Sequence, residues 1–254
     1  MFVNFFEIVI LSIVQGISEF LPISSSAHLF LISEIYEFKS QALLIDIGLH
    51  LGSLLAIIFY FRNDLLDILN NKSLLFLIIL GSIPLIIFGL IVYKTGLINY
   101  FRNVQVISWT TLVFAIILYF ADKFEVKKKF EADLNIKSIF IIGIFQILAL
   151  IPGVSRSGIV ITAGRLLNFD RYDSTKISFY LSIPAISGAS FLGLKDLFNQ
   201  PVEFNYLAII ATVCSFIFSF ITVKFFLIYI NRFSMNAFVI YRVIISLILF
   251  LIIY

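Results

Sequence analysis

The chain has 254 residues, a net charge of +3, 61% hydrophobic and only 13% charged residues, and a mean hydropathy of +1.09. Soluble domains run near about 45–50% apolar and about 25% charged, so a water-soluble globule is excluded. The small charge excess leaves no nucleic-acid footprint, and the single cysteine, Cys214, excludes an intrachain disulfide or a cysteine-based metal cluster.

In lipid every backbone N–H and C=O must be satisfied within the chain, which leaves helices or closed barrels. Barrel strands alternate polar and apolar residues. Here the apolar runs are continuous and about 20 residues long, the length that crosses ~30 Å of hydrocarbon. The predicted class is therefore all-α integral membrane. The first apolar segment, 5–35, is interrupted by Phe20-Leu21-Pro22-Ile23-Ser24-Ser25-Ser26. Because the first basic residue is Lys39, this segment lacks the basic start of a cleavable signal and reads as mature protein. Continuous spans follow at 41–61, 73–93 and 103–121, then a charged linker at 122–137. A second apolar segment, 138–166, is interrupted by Ile151-Pro152-Gly153-Val154-Ser155-Arg156-Ser157-Gly158. Spans at 172–192, 204–224 and 234–253 complete the chain. Proline and polar clusters stop helices, and neither interrupted segment is long enough for two complete spans. Each reads as two half-helices, a re-entrant hairpin meeting in a loop at membrane depth.

A shift of 131 places lays Gln15 on Gln146, Ser24 on Ser155, Ser25 on Arg156 and Ser26 on Ser157. The same shift lays the first three spans near the last three. The chain reads as one membrane domain: repeat one about 1–121, a cytoplasmic linker 122–137, and repeat two about 138–254. Each half is one re-entrant hairpin plus three spans. Three is odd, so the halves would be inverted repeats, whose broken helices usually meet near the midplane. With the linker inside, the inner loops hold Arg62, Lys72, Lys123, Lys127, Lys128, Lys129, Lys137, Arg165, Arg171, Lys176, Lys224 and Arg232. The outer loops hold Lys39, Lys94, Arg102 and Lys195. That bias obeys the positive-inside rule and puts both termini outside.

Polar groups inside hydrocarbon are costly and mark function. The first hairpin carries Gln15, Ser18, Glu19, Ser24, Ser25, Ser26 and His28; the second carries Gly153, Ser155, Arg156 and Ser157. Gln15 and Glu19, four apart, share a helix face. If the hairpin tips meet, a carboxylate, an imidazole, a guanidinium and several hydroxyls converge in a dry cavity suited to a phosphate group. Arginine holds phosphate oxygens bidentately, and half-helix N-termini favour an anion. Bland readings stand beside these. Ser18 can bond its own helix, Glu19–Arg156 can be a structural ion pair, His28 can be a packed core histidine, and Arg242 can be structural or snorkelling. His50 and Asp46 are open between supporting groups of the site and a helix-packing pair.

The stretch Gln15-Gly16-Ile17-Ser18-Glu19-Phe20-Leu21-Pro22-Ile23-Ser24-Ser25-Ser26-Ala27-His28-Leu29 resembles the first motif of undecaprenyl-diphosphate phosphatases of the bacitracin-resistance type. Pro152-Gly153-Val154-Ser155-Arg156-Ser157-Gly158 resembles the second, and His50-Leu51-Gly52-Ser53 is similar to a further family segment. The resemblance covers the whole chain. It departs at Val160, where the family's second motif closes with threonine; Thr162 lies about half a helical turn away.

The resemblance implies hydrolysis of undecaprenyl diphosphate to undecaprenyl phosphate and inorganic phosphate in the bacterial plasma membrane. It further implies a divalent cation, an active site open to the outer face, an isoprenoid lipid diphosphate as substrate, and bacitracin as a competitor for that substrate. On this reading Arg156 clamps the phosphate and Ser25 is the nucleophile with His28 as base; alternatively His28 activates water and Ser25 only donates a hydrogen bond. Glu19, with Gln15, holds Mg²⁺ or Ca²⁺. Ser24, Ser26, Gly153, Ser155 and Ser157 line the phosphate pocket. The rival class is a lipid-phosphate flippase or anion transporter of the same architecture. Monomer and homodimer are both open.

Overall fold

The structure, a computed structural model, describes residues 2–36, 43–198 and 206–253. The chain opens with α1 (Phe2–Ser18), α2 (Ser25–Tyr36), α3 (Leu43–Tyr60), α4 (Arg62–Asn70), α5 (Lys72–Thr95), α6 (Ile98–Phe101) and α7 (Val104–Ala121). After α8 (Phe130–Asp133) come α9 (Ile136–Ile147), a 3₁₀ turn over Leu148–Leu150, and α10 (Arg156–Leu166). The long helices α11 (Arg171–Phe198), α12 (Tyr206–Ile230) and α13 (Asn236–Ile253) end the fold. Among the described residues the only β pairing is an isolated bridge from Lys128 to Phe169.

Among the described residues six helices, α3, α5, α7, α11, α12 and α13, are long and apolar enough to cross a membrane. They fall on the six predicted spans, though α11 and α12 run further than expected. Lys176 and Lys224, assigned to loops from sequence, lie inside α11 and α12. Arg165 is likewise no loop residue: it is buried in the last turn of α10. Lys39 lies outside the described residues. Both apolar segments break where proline and the polar clusters predict, between Ser18 and Ser25 and between Leu150 and Arg156.

The local chemistry explains several boundaries. Asn71, Asn103 and Asn135 each accept a backbone N–H three residues on and so cap α5, α7 and α9. Gly96, at φ 67°, closes α5 in the left-handed region.

The spans meet where side chains are small, as membrane helices do to let backbones approach. A Cβ on Gly52 of α3 would come within 2.3 Å of Thr212 O on α12, and one on Gly143 of α9 within 2.4 Å of Gly81 O on α5. At Gly188 of α11, by contrast, a Cβ would meet nothing within 4 Å. Here α11 and α5 part and leave a cavity.

The segments 61–71, 122–137, 167–171 and 231–235, with the short helices α4 and α8 among them, gather at one end of the bundle. Asp64 takes the Tyr180 hydroxyl at 2.8 Å and Lys176 Nζ at 3.3 Å. The buried Asp122 holds Arg171 bidentately at 2.7 and 2.9 Å and caps the start of α13 through Met235 N–H at 3.2 Å. Lys123, Lys127, Lys128, Lys129 and Arg232 crowd the same end.

Candidate active site

Two short helices start inside the bundle: α2 at Ser25 and α10 at Arg156. The residue before each start has a left-handed backbone, Ser24 at φ 76° and Ser155 at φ 72°. Each turn thus aims a helix N-terminus back at the middle of the molecule, where backbone N–H groups and the helix dipole favour an anion. Gly153, at φ 89°, makes the second turn possible; a Cβ there would lie 2.1 Å from Thr110 Oγ1 and 2.9 Å from Ile107 O. Direct bonds lock the turns: Ser157 Oγ donates to Leu21 O at 2.7 Å, and Thr110 Oγ1 to Pro152 O at 2.6 Å.

The carboxylate of Glu19, 8% exposed, is the hub between them. Its Oε1 accepts Arg156 Nη2 at 3.0 Å. Its Oε2 accepts the Ser25 hydroxyl at 2.6 Å and Gln15 Nε2 at 3.2 Å. A buried carboxylate is tolerable because it is paired and fully hydrogen-bonded. Arg156 is fixed in turn by Ser178 O at 3.3 Å. Behind Gln15 stands a hydroxyl ladder that the sequence did not announce: Ser53 receives Gln15 Nε2 at 3.4 Å and Ser219 at 2.9 Å, with Ser215 beside it at 3.1 Å.

His28 is not joined to Ser25. Its Nδ1 donates to Ser24 O at 2.6 Å, so in the neutral ring Nε2 accepts the Tyr241 hydroxyl, also at 2.6 Å. The two rings stack with centroids 5.7 Å apart. Ser24 and Ser26 hydroxyls lie 3.4 Å apart on the first turn. Ser155 Oγ is the N-cap of α10, accepting Gly158 N–H at 3.2 Å, and touches Ser157 Oγ at 3.2 Å. His50 reaches the cavity wall and donates from Nδ1 to the backbone carbonyl of Asp46 at 2.8 Å. Ser18 bonds its own helix at Val14 O. Val160 is wholly buried, and Thr162 Oγ1 turns to Gly158 O at 2.7 Å rather than to the site.

Two neighbouring spaces surround this hub. A polar niche of about 60 Å³ is lined by Glu19, Ser24, Ser25, Ser26, Ser155 and Arg156. It shares Glu19, Ala149 and Arg156 with an apolar cavity of about 520 Å³ between α5 and α11, walled by Leu85, Ile86, Leu90, Ile186 and Leu192. A polar head with an apolar tail fits this pair of spaces.

Among the described residues no three His, Cys, Asp or Glu side chains gather as a metal cage. The buried Gln15 Oε1, however, has no hydrogen-bond partner and belongs to the amide already beside Glu19. A carboxylate and an amide oxygen four residues apart are hard donors of the kind a divalent cation takes, once Gln15 turns its oxygen rather than its Nε2 towards Glu19.

Residues 8–248 match the family described as bacitracin resistance protein BacA. The chain belongs to this family. It is 63% identical, over the full length of both chains, to the undecaprenyl-diphosphatase of Pelagibacter ubique. It is 41% identical to that of Elusimicrobium minutum, covering 95% of each chain, and 40% identical to that of Erythrobacter litoralis, covering 94% of this chain and 96% of the relative. The BacA fold here is all-helical and multi-pass, and its two interrupted segments carry the residues that meet at Glu19.

Proposed function

We propose that this BacA-family protein hydrolyses undecaprenyl diphosphate to undecaprenyl phosphate and inorganic phosphate, recycling the lipid carrier of envelope polymers. The observation that carries the reading is the serine–carboxylate–arginine unit in a polar niche that shares Glu19 and Arg156 with the wall of an apolar cavity. The niche takes the diphosphate; the cavity takes the isoprenoid chain. A flippase or anion transporter would need the arginine and the helix ends but no hydroxyl seated on a carboxylate.

In this mechanism Glu19 removes the Ser25 proton and Ser25 Oγ attacks the terminal phosphorus. The bond from that phosphorus to the bridging oxygen breaks, and undecaprenyl phosphate leaves. Arg156 and the N–H groups opening α2 and α10 stabilise charge on the transferred phosphoryl group. Water then cleaves the Ser25 phosphoester and releases inorganic phosphate, with His28, once freed from Tyr241, as the base for that water. Ser24, Ser26, Gly153, Ser155 and Ser157 shape the niche, and His50 with Asp46 supports its wall. Glu19 and Gln15 would hold Mg²⁺ or Ca²⁺, which when bound neutralises charge on the diphosphate oxygens.

We further infer that the two halves, about 1–121 and 138–254 around the linker 122–137, are inverted repeats, each a re-entrant hairpin with three spans. The matched left-handed residues Ser24 and Ser155 support this. So does the reciprocal packing of α1 on α12 and α9 on α5. The basic end of the bundle supports a cytoplasmic linker, hence a niche serving the outer face of the bacterial plasma membrane, where bacitracin competes for the same lipid.

The test is release of phosphate from undecaprenyl diphosphate by the purified chain in detergent, with and without chelator. Release that stops on chelation and returns with Mg²⁺ or Ca²⁺ is the expected result; a folded protein that releases none overturns the reading.

A further inference from the structure

Arg242 is an arginine in the middle of the last span, and it does not snorkel: it is 1% exposed. Among the described residues no carboxylate lies within ion-pair distance of it. Four backbone carbonyls receive it instead. Nη1 donates to Pro22 O at 3.2 Å, Nη2 to Gly153 O at 2.9 Å and Val154 O at 3.2 Å, and Nε to Thr111 O at 3.3 Å. Pro22 belongs to the turn that leads into Ser24 and Ser25, and Gly153 and Val154 to the turn that leads into Ser155 and Arg156. One guanidinium therefore spans both turns and ties them to α7.

Burying a cation in this way is expensive unless its donors are used. Here the geometry uses the planar fork that distinguishes arginine from lysine, whose ammonium is a compact point charge. The peptide plane adds a consequence. With Val154 O held by Nη2, the Ser155 N–H of the same planar unit points the opposite way. Fixing these carbonyls fixes the edges of the turns from which the niche is built.

We infer that Arg242 is a positioning residue of the active site: it holds the Pro22 and Gly153-Val154 turns against each other and so sets the placement of the Glu19–Ser25 pair relative to Arg156. It touches no reacting atom and acts through the two turns. This rests on the phosphatase reading above.

The experiment compares wild type, Arg242→Lys and Gly158→Ala, as full chains in detergent, by thermal melt and by kcat and KM for phosphate release. Misplacement by about 1 Å can lower a rate by ~100-fold. Arg242→Lys leaves carbonyls of the two turns unpaired, so it is expected to melt below wild type, keep its KM and lose kcat on that scale. Gly158→Ala keeps the guanidinium but brings a methyl to 3.1 Å from Nη1 and 3.2 Å from Ser155 Oγ, and a smaller loss of kcat at unchanged KM is expected. A folded Arg242→Lys with wild-type kcat overturns the inference. If Arg242→Lys fails to fold, a Gly158→Ala protein with full kcat overturns it and one with reduced kcat and unchanged KM upholds it. Wild type that releases no phosphate defeats the phosphatase reading instead.

Discussion

Ser25 Oγ lies 2.6 Å from Glu19 Oε2. They are six positions apart, too far for one helical turn and in the wrong phase for two. They meet because α1 stops at Ser18, Pro22 turns the chain, and α2 restarts at Ser25. The nearest proton acceptor to this serine is thus a carboxylate, which in turn is seated on Arg156.

Glu19→Gln keeps the shape of the hub and removes its charge. Loss of a general base lowers a rate by about 10²–10⁴-fold, so kcat for phosphate release should fall in that range; because Arg156 loses its ion-pair partner, the melting temperature should fall as well. Steady-state kinetics on the purified variant check it.

Removing Arg156 alone leaves the 8%-exposed Glu19 without its cation. Breaking a buried pair from one side costs about 3–5 kcal/mol, whereas replacing both partners with apolar residues is often neutral. Arg156→Ala should melt well below wild type; Glu19→Leu combined with Arg156→Met should recover most of the melt and none of the activity.

Gly153 and Gly188 make a matched comparison. Gly153→Ala puts a side chain at φ 89° and within 2.1 Å of Thr110 Oγ1. Strain of that kind costs about 1–3 kcal/mol before the clash is counted. Gly188→Ala meets nothing within 4 Å and should leave the melt unchanged.

Gln146 is fully buried with neither amide atom hydrogen-bonded. An unsatisfied buried polar group is unfavourable by about 1–3 kcal/mol. Gln146→Met should therefore raise the melting temperature, in contrast to Gln15→Met, which removes a bond to Glu19.

The spans and both breaks can be read from the sequence because their signals are local: run length, proline, and polar clusters in hydrocarbon. A meeting of Glu19 with Arg156 could be argued too, since a buried carboxylate and a buried arginine need each other. The partner of Ser25 could not. Three-residue spacing to His28 suggests a pair on one helix, yet the imidazole is drawn away by Ser24 O and by Tyr241, 213 residues distant. The Ser53–Ser215–Ser219 ladder and the Arg242 contacts likewise depend on how helices far apart in sequence rotate against each other. An arginine in the final span was the one visible trace of the latter.

The most direct test of the serine–carboxylate–arginine unit is to stop the reaction with acid during turnover of undecaprenyl diphosphate and weigh the peptide that contains Ser25. The account predicts a fraction of that peptide heavier by one phosphate group, absent in Ser25→Ala and in Glu19→Gln. An unmodified peptide during rapid turnover, with Ser25→Ala retaining wild-type kcat, would contradict it.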